Sequence, residues 1–273
     1  MSKPTAWRIL SKSDNSAGLV LAVDFDTTGR VEARFADLVA NLTAATEIWE
    51  TIAPDGGTVS PGAAQEYLDH WAGDLQDERR PIQAVLGFCG GAIYAAALVE
   101  RIRRAQGHEP LLLLFDPELS TAQTLLWQFH KVMGFMSGIL SSEQVAQAQE
   151  MGRHAYDTIS DVAALKEEIS RLMKESGEPA LINAGLDERR REELFGVFDS
   201  FLSYLAAASQ IDPLDQWRRA IAFSSKSPLS GLNAMRASGL DILVGKEIGL
   251  DAEHGTLLAN RDLAAQVSDL LSV

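Results

Sequence analysis

The residues best suited to covalent chemistry lie in Gly87-Phe88-Cys89-Gly90-Gly91, where the one cysteine of the chain sits between glycines. A small-x-nucleophile-x-small spacing directly after an apolar run is the pattern of a strained strand-to-helix turn that lifts its central side chain above a sheet. Glycines on both sides let the backbone bend that tightly. The helix that follows supplies backbone N–H groups and a positive dipole end, which lower a thiol pKa and stabilise an oxyanion. A lone cysteine is otherwise a small inert hydrophobe. The pattern therefore acquires meaning only if a base and an acid can reach it.

The expected base is His254. It lies in Asp251-Ala252-Glu253-His254-Gly255-Thr256-Leu257-Leu258, after the last predicted strand and directly before the closing helix, where loops at the C-terminal strand edge converge. His70 falls in mid-helix, His108 precedes a strand, and His130 and His154 fall in a helical stretch. The expected acid is Asp116, which ends the strand Pro110 to Phe115. The stretch after the penultimate strand, Ser224-Ser225-Lys226-Ser227-Pro228, contains no carboxylate, and Asp251 is the alternative.

These residues need a sheet to carry them. Apolar runs bounded by turn residues alternate with helical periodicity, the pattern of an α/β protein with a mostly parallel sheet flanked by helices. Strands are predicted at Leu19 to Phe25, Ile48 to Ile52, Gln83 to Phe88, Pro110 to Phe115, Arg219 to Ser224 and Asp241 to Val244. Helices are predicted over Val31 to Leu42, from Ser60-Pro61 to about Leu75, and over Ala92 to Arg104 and Leu257 to Leu271. Turns are predicted at Asp26-Thr27-Thr28-Gly29 and Pro54-Asp55-Gly56-Gly57. Residues 119–211 read as helical almost throughout, near 121–137, 141–155, 161–176 and 187–209, with a weak strand candidate in Ala180 to Asn183. A helical insertion between two strands is expected to act as a lid within a single 1–273 domain. Its aromatic and methionine-rich stretch, Trp127, Phe129, Met133, Phe135 and Met136, is a candidate lining for an apolar ligand or, at helical spacing, simple core.

Composition narrows the class of activity. The chain has 273 residues, 24 basic and 38 acidic side chains, and a formal charge of −14. Such a balance argues against non-specific binding to nucleic acid or anionic membranes. Hydrophobic residues make up 46%, enough for a sizeable core, and no apolar run has the roughly 18–20 residues of a spanning helix. Cytoplasmic localisation is expected. One cysteine makes no internal disulfide, and no Cys/His cluster has metal-ligand spacing, so neither metal nor cofactor is expected.

The order Cys89, Asp116, His254, with helices inserted after Asp116, resembles the α/β-hydrolase thioesterases of polyketide and non-ribosomal peptide assembly lines. The matching motifs are Val85-Leu86-Gly87-Phe88-Cys89-Gly90-Gly91-Ala92, Leu111 to Pro117 and His254-Gly255-Thr256-Leu257-Leu258, and the resemblance spans about residues 18–118 and 215–273. It implies the α/β-hydrolase fold and an acyl or peptidyl carrier protein with a phosphopantetheine arm as partner. It further implies acyl transfer to Cys89, with His254 as base and Asp116 orienting it, and an oxyanion site formed by the Gly90 N–H and a donor at Phe25 or Asp26. Two features depart from the family pattern. Serine is usual where Cys89 stands, and the proline- and glycine-rich turn that normally donates the second N–H is here Val23-Asp24-Phe25-Asp26-Thr27-Thr28-Gly29. Carrier proteins are acidic, so docking calls for a basic patch, for which Arg101, Arg103, Arg104 and Arg189, Arg190, Arg191 are the candidates. A cysteine hydrolase of the dienelactone-hydrolase type and a non-catalytic carrier or ligand binder are the alternatives.

Overall fold

The computed structural model describes residues 4–13, 18–26, 31–54, 60–76 and 78–272. Parts of the two predicted turns, Thr27-Thr28-Gly29 and Asp55-Gly56-Gly57, lie outside them. The elements in chain order are β1 (Trp7–Ser11), β2 (Leu19–Val23), α1 (Phe35–Asn41), β3 (Glu47–Thr51), α2 (Ala63–Gly73), β4 (Ile82–Phe88), α3 (Gly91–Gln106) and β5 (Leu111–Phe115). Then follow α4 (Ala122–Phe135), α5 (Ser142–Thr158), α6 (Val162–Asn183), α7 (Glu188–Ala208), α8 (Leu214–Trp217), β6 (Ile221–Ser224), α9 (Gly231–Ala237), β7 (Lys246–Gly249) and α10 (Arg261–Leu271).

The strands form one seven-stranded sheet in the order β1-β3-β2-β4-β5-β6-β7. Every neighbouring pair is parallel except β1 with β3. In β2 all five residues are buried. Val20 and Ala22 belong to a core that joins α1 and α10 to the sheet through Phe35, Leu38, Leu263 and Val267, while alternation sends Leu19, Leu21 and Val23 to the opposite face. A second aromatic group, Tyr67, Trp71 and Tyr94, packs between α2 and α3. Its buried indoles keep their polar ends satisfied: Trp7 Nε1 donates to Trp71 O, Trp71 Nε1 to Ile52 O and Trp217 Nε1 to Ala92 O, all within 3.2 Å.

Backbone contacts divide the chain into two compact units, Met1–Asp55 with Gln65–Leu119 and Ile211–Val273, and Gly56–Ala64 with Ser120–Gln210. The first holds the sheet. The second holds α4–α7, whose starts are set by side chains that accept from the N3 backbone N–H: Thr121, Ser141, Asp161 and Asp187. Phe129 and Met133 are fully buried in this unit, and a Cβ at Gly152 would run into the Phe129 ring.

Several expectations need correcting. Ala180–Asn183 is not a strand but the last turn of α6, which continues through Pro179. The apolar run Asp241–Val244 has no regular structure, and the edge strand is instead Lys246–Gly249. Strand β1 and helix α9 were not expected, α1 starts at Phe35 rather than Val31, and α2 starts at Ala63 rather than at Ser60-Pro61. Among the described residues no helix is long and apolar enough to cross a membrane.

Close packing of β2 against the start of α3 generates a stability prediction. A Cβ at Gly91 would overlap the Val23 carbonyl, whereas one at Gly73, the last residue of α2, meets nothing within 4 Å. Gly91→Ala is expected to lose about 1–3 kcal/mol and Gly73→Ala to gain up to about 1 kcal/mol, both measured by urea denaturation.

Candidate active site

At the C-terminal edge of the sheet, β4 runs into Cys89, whose φ of 51° lies in the left-handed region. For a non-glycine residue this costs roughly 1–2 kcal/mol, and the surroundings hold it there. The Cys89 N–H donates to Phe115 O at 3.0 Å, and Cys89 O accepts from the Ala92 N–H at 3.1 Å. Asp116, one strand away, is also left-handed at 43°. Its N–H donates to Phe223 O at 2.9 Å, which ties the end of β5 to β6. The backbone packs so closely here that a Cβ at Gly231, itself at φ 56°, would lie 2.8 Å from Asp116 Cα.

The Asp116 carboxylate is wholly inaccessible to solvent, and both its oxygens are engaged. Oδ1 accepts from the Ser225 N–H at 2.8 Å, and Oδ2 meets His254 Nδ1 at 2.8 Å. The loop after β6 thus carries no acid of its own and orients Asp116 instead. His254 opens a 3-10 turn, His254–Ala259. Its N–H donates to Ser227 Oγ at 2.8 Å, Ser227 Oγ donates to Glu253, and the Phe88 ring stacks on the imidazole with centroids 4.9 Å apart. With Nδ1 donating to Asp116, Nε2 is the ring nitrogen left for the partly exposed Cys89 thiol. Sequence reasoning missed Ser225, Ser227, Gly231 and the stacking role of Phe88.

The electrostatics correct one expectation. Burial pushes the Cys89 thiol above its ordinary value, the His254 hydrogen bond pulls it back, Glu118 adds to the rise, and the His254 charge and the Gly90 N–H oppose it. The start of α3 therefore does not by itself make a thiolate. For His254, burial pulls the imidazole down, but hydrogen bonds with Asp116 and Cys89 and the charges behind them win and push it up to about 10. The buried carboxylate thus makes the imidazole a stronger proton acceptor beside the sulfur.

The remaining expected residues sort as follows. The Phe25 N–H donates to Asp24 Oδ1 at 2.8 Å and is engaged. Asp26 is held by Arg8 and Arg34. In the helical unit, Met133 and Met136 are buried while Trp127 and Phe135 are 50% and 70% exposed, so this stretch does not share one face. Asp251 pairs with Lys226 at 2.8 Å and lies far out in solvent. The arginine runs form no free basic patch: Arg101 pairs with Asp69, Arg103 and Arg104 with Glu100, Arg189 with Glu193, Arg190 with Asp187 and Arg191 with Glu178. Helix-spaced acidic neighbours account for most of these pairs.

A cysteine at a strand-turn-helix bend, with an aspartate after the next strand and a histidine before the last helix, on a mostly parallel sheet flanked by helices, fits the α/β-hydrolase fold. Solved structures share it. The Vlm2 thioesterase domain bound with a dodecadepsipeptide matches with a TM-score of 0.52 at 15% identity, covering 98% of this chain and 97% of that one. YbtT, a type II thioesterase from the yersiniabactin NRPS/PKS pathway, matches with a TM-score of 0.52 at 14% identity, covering 98% of both. MGS-M2, an α/β-hydrolase enzyme from a deep-sea metagenome library, matches at 0.51 and 9% identity, covering 98% and 94%. At these identities the likeness is one of fold. No family model and no curated protein matches the chain.

Replacing Asp116 by Asn removes the first influence that raises His254 and leaves burial to act against the imidazolium. The His254 titration, followed by NMR, is expected to fall by about 1–3 pH units. The linked stability has a definite sign. A histidine raised from 6.5 to about 10 contributes stability that is fully present below pH 6.5 and is lost as pH rises through 10. That decline is expected to shrink in Asp116→Asn, measured by denaturation between pH 6 and 10.

Proposed function

We propose that the protein is a thioesterase of polyketide or non-ribosomal peptide synthesis, taking an acyl or peptidyl group from a carrier protein's phosphopantetheine thioester onto Cys89 and then releasing it. The observation that carries this reading is the hydrogen-bonded run Ser225–Asp116–His254 that ends at Cys89. The likeness in fold to the Vlm2 and YbtT thioesterases supports it. His254 Nε2 takes the thiol proton as the sulfur attacks the thioester carbonyl. Charge on the carbonyl oxygen is received by the Gly90 N–H and a second donor from the stretch after β2. Collapse expels the pantetheine thiolate, which takes the proton from His254. Water, an amine or a hydroxyl then attacks the acyl-Cys89, giving its proton to His254, and the Cys89 sulfur leaves and recovers it. No cofactor enters this scheme.

Cysteine alters the energetics of the first half. An acyl-serine lies below the incoming thioester, whereas an acyl-cysteine is itself a thioester, so the transfer is nearly energy-neutral and the group stays activated. Cys89 therefore suits release by an amine or an internal hydroxyl as well as by water. The helical unit acts in this reading as the lid that selects the acyl chain, with the exposed Trp127 and Phe135 as apolar contacts and the buried Met133 and Met136 supporting them from within. The protein works in the cytoplasm, beside the assembly line it serves. The engaged Phe25 N–H favours one competing reading, a thioesterase-like protein that binds its carrier or ligand without turnover.

Incubation with an acyl-N-acetylcysteamine thioester, read by intact-mass spectrometry, separates these readings. An acyl adduct is expected on the parent and none on Cys89→Ala, with adduct formation slowed on the order of 10²–10⁴-fold in His254→Ala. Failure of the parent to acquire an adduct from a broad acyl panel would sink the thioesterase reading and leave the binder. In the same assay, release to an added amine is expected to compete with hydrolysis, and a product stream of free acid alone would overturn the release preference.

A further inference from the structure

Two aspartates, Asp24 and Asp26, lie in the stretch that follows β2. That stretch is beside the nucleophile turn: Val23 is in register with Gly87 on the neighbouring parallel strand, and a Cβ at Gly91 would overlap the Val23 carbonyl and lie 3.2 Å from Asp24 Cα. Carboxylates here oppose any developing oxyanion unless their charge is turned away or neutralised.

Both are. Asp24 faces its own backbone, with Oδ1 accepting the Phe25 N–H at 2.8 Å. Thr51 holds the Asp24 main chain, its hydroxyl accepting from Asp24 N–H and donating to Asp24 O within 3.2 Å. The Asp26 side chain, 5% exposed, lies between two cations: the Arg8 guanidinium binds Oδ2, and Arg34 Nε lies 3.2 Å from Oδ1, which accepts no hydrogen bond. Neither arginine arrives by chance. Arg8 stands opposite Glu50 across the β1–β3 pair and binds that buried carboxylate too. Arg34 caps the start of α1 beside Ala33, whose N–H donates to Gly255 O at 2.8 Å, next to His254. With Phe25 N–H engaged, the Asp26 N–H is, among the described residues of the stretch after β2, one that donates to no acceptor, while the Gly90 N–H points at the Cys89 sulfur.

We propose that Arg8 and Arg34 are positioning residues: they clamp the Asp26 carboxylate between two guanidiniums, so that this stretch offers the transition state its Asp26 N–H and not a negative charge. The inference rests on the acyl-Cys89 reading and adds to it the residues that make an aspartate-bearing oxyanion segment workable. Neither arginine touches the substrate. Each acts through Asp26, and Arg8 also through the support it shares with Glu50. An unneutralised charge beside the developing oxyanion slows acylation by a factor on the order of 10–10².

The test compares two reactions of the same thiol. Acylation by an acyl-N-acetylcysteamine thioester builds an oxyanion, whereas alkylation by iodoacetamide displaces iodide and builds none. Arg34→Met, which leaves the buried Glu50 pair intact, and the pair Arg8→Met with Glu50→Gln, which removes the Arg8 grip on Asp26 without leaving a charged Glu50 unpaired, are each expected to lower the acylation rate at saturating thioester 10–100-fold. Alkylation of Cys89 is expected to stay within about twofold of the parent, and adding Asp26→Asn to either background is expected to restore acylation. Unchanged acylation in Arg34→Met, a joint fall of acylation and alkylation, or no restoration by Asp26→Asn would overturn the clamp. A parent that alkylates but never acylates would overturn the thioesterase reading itself, and the clamp with it.

Discussion

A carboxylate with no access to water sets the terms for everything at this edge of the sheet. Removed from solvent, Asp116 is tolerable only with both oxygens hydrogen-bonded. Its partners come from two other parts of the chain, the Ser225 N–H after β6 and the His254 ring before α10. To serve both, the backbone at Asp116 adopts a conformation that favours glycine, β5 and β6 pair up to its first atom, and Gly231 gives way so that α9 can pack against it. The sheet order, the absence of an acid after β6 and the 3-10 turn at His254 follow as parts of one solution to a single burial problem.

The same burial decides how the charges behave. At the thiol, desolvation outweighs the start of α3, so the sulfur gains its proton acceptor from a side chain and not from the helix. At the imidazole the balance reverses, because hydrogen bonds with Asp116 and Cys89 and their charges outweigh desolvation. The aspartates after β2 follow a third pattern, in which negative charge is kept at the edge but bound on the spot by backbone and guanidinium. The arginine runs are likewise consumed by neighbouring carboxylates.

How much of this was legible depended on the range of each interaction. The turn at Cys89 is written locally, in glycines on either side of an apolar run, and the positions of Asp116 and His254 follow from strand ends. The α/β-hydrolase fold was readable for the same reason, since β2, β4 and β5 are buried on both faces and read as unbroken apolar runs. Edge strands carry no such signal. Residue Trp7 is the one buried position of β1, and β7 is Lys-Glu-Ile-Gly with none, so the apolar Asp241–Val244 drew the strand assignment away from it. Ala180–Asn183 misled because a short apolar run after proline fits strand and helix alike. Ser225, Arg8 and Arg34 were invisible because their roles are contacts between distant segments, with Ser225 and Asp116 separated by 109 positions.

That long separation has a bearing on how the protein comes into being. A chain made from its N-terminus exposes Cys89 and completes the turn around it long before Ser225 and His254 have been synthesised. Until they arrive the thiol has no imidazole to take its proton, and Asp116 lacks both of its partners. The arrangement around the thiol is thus completed only once His254 meets Asp116 across a separation of 138 positions.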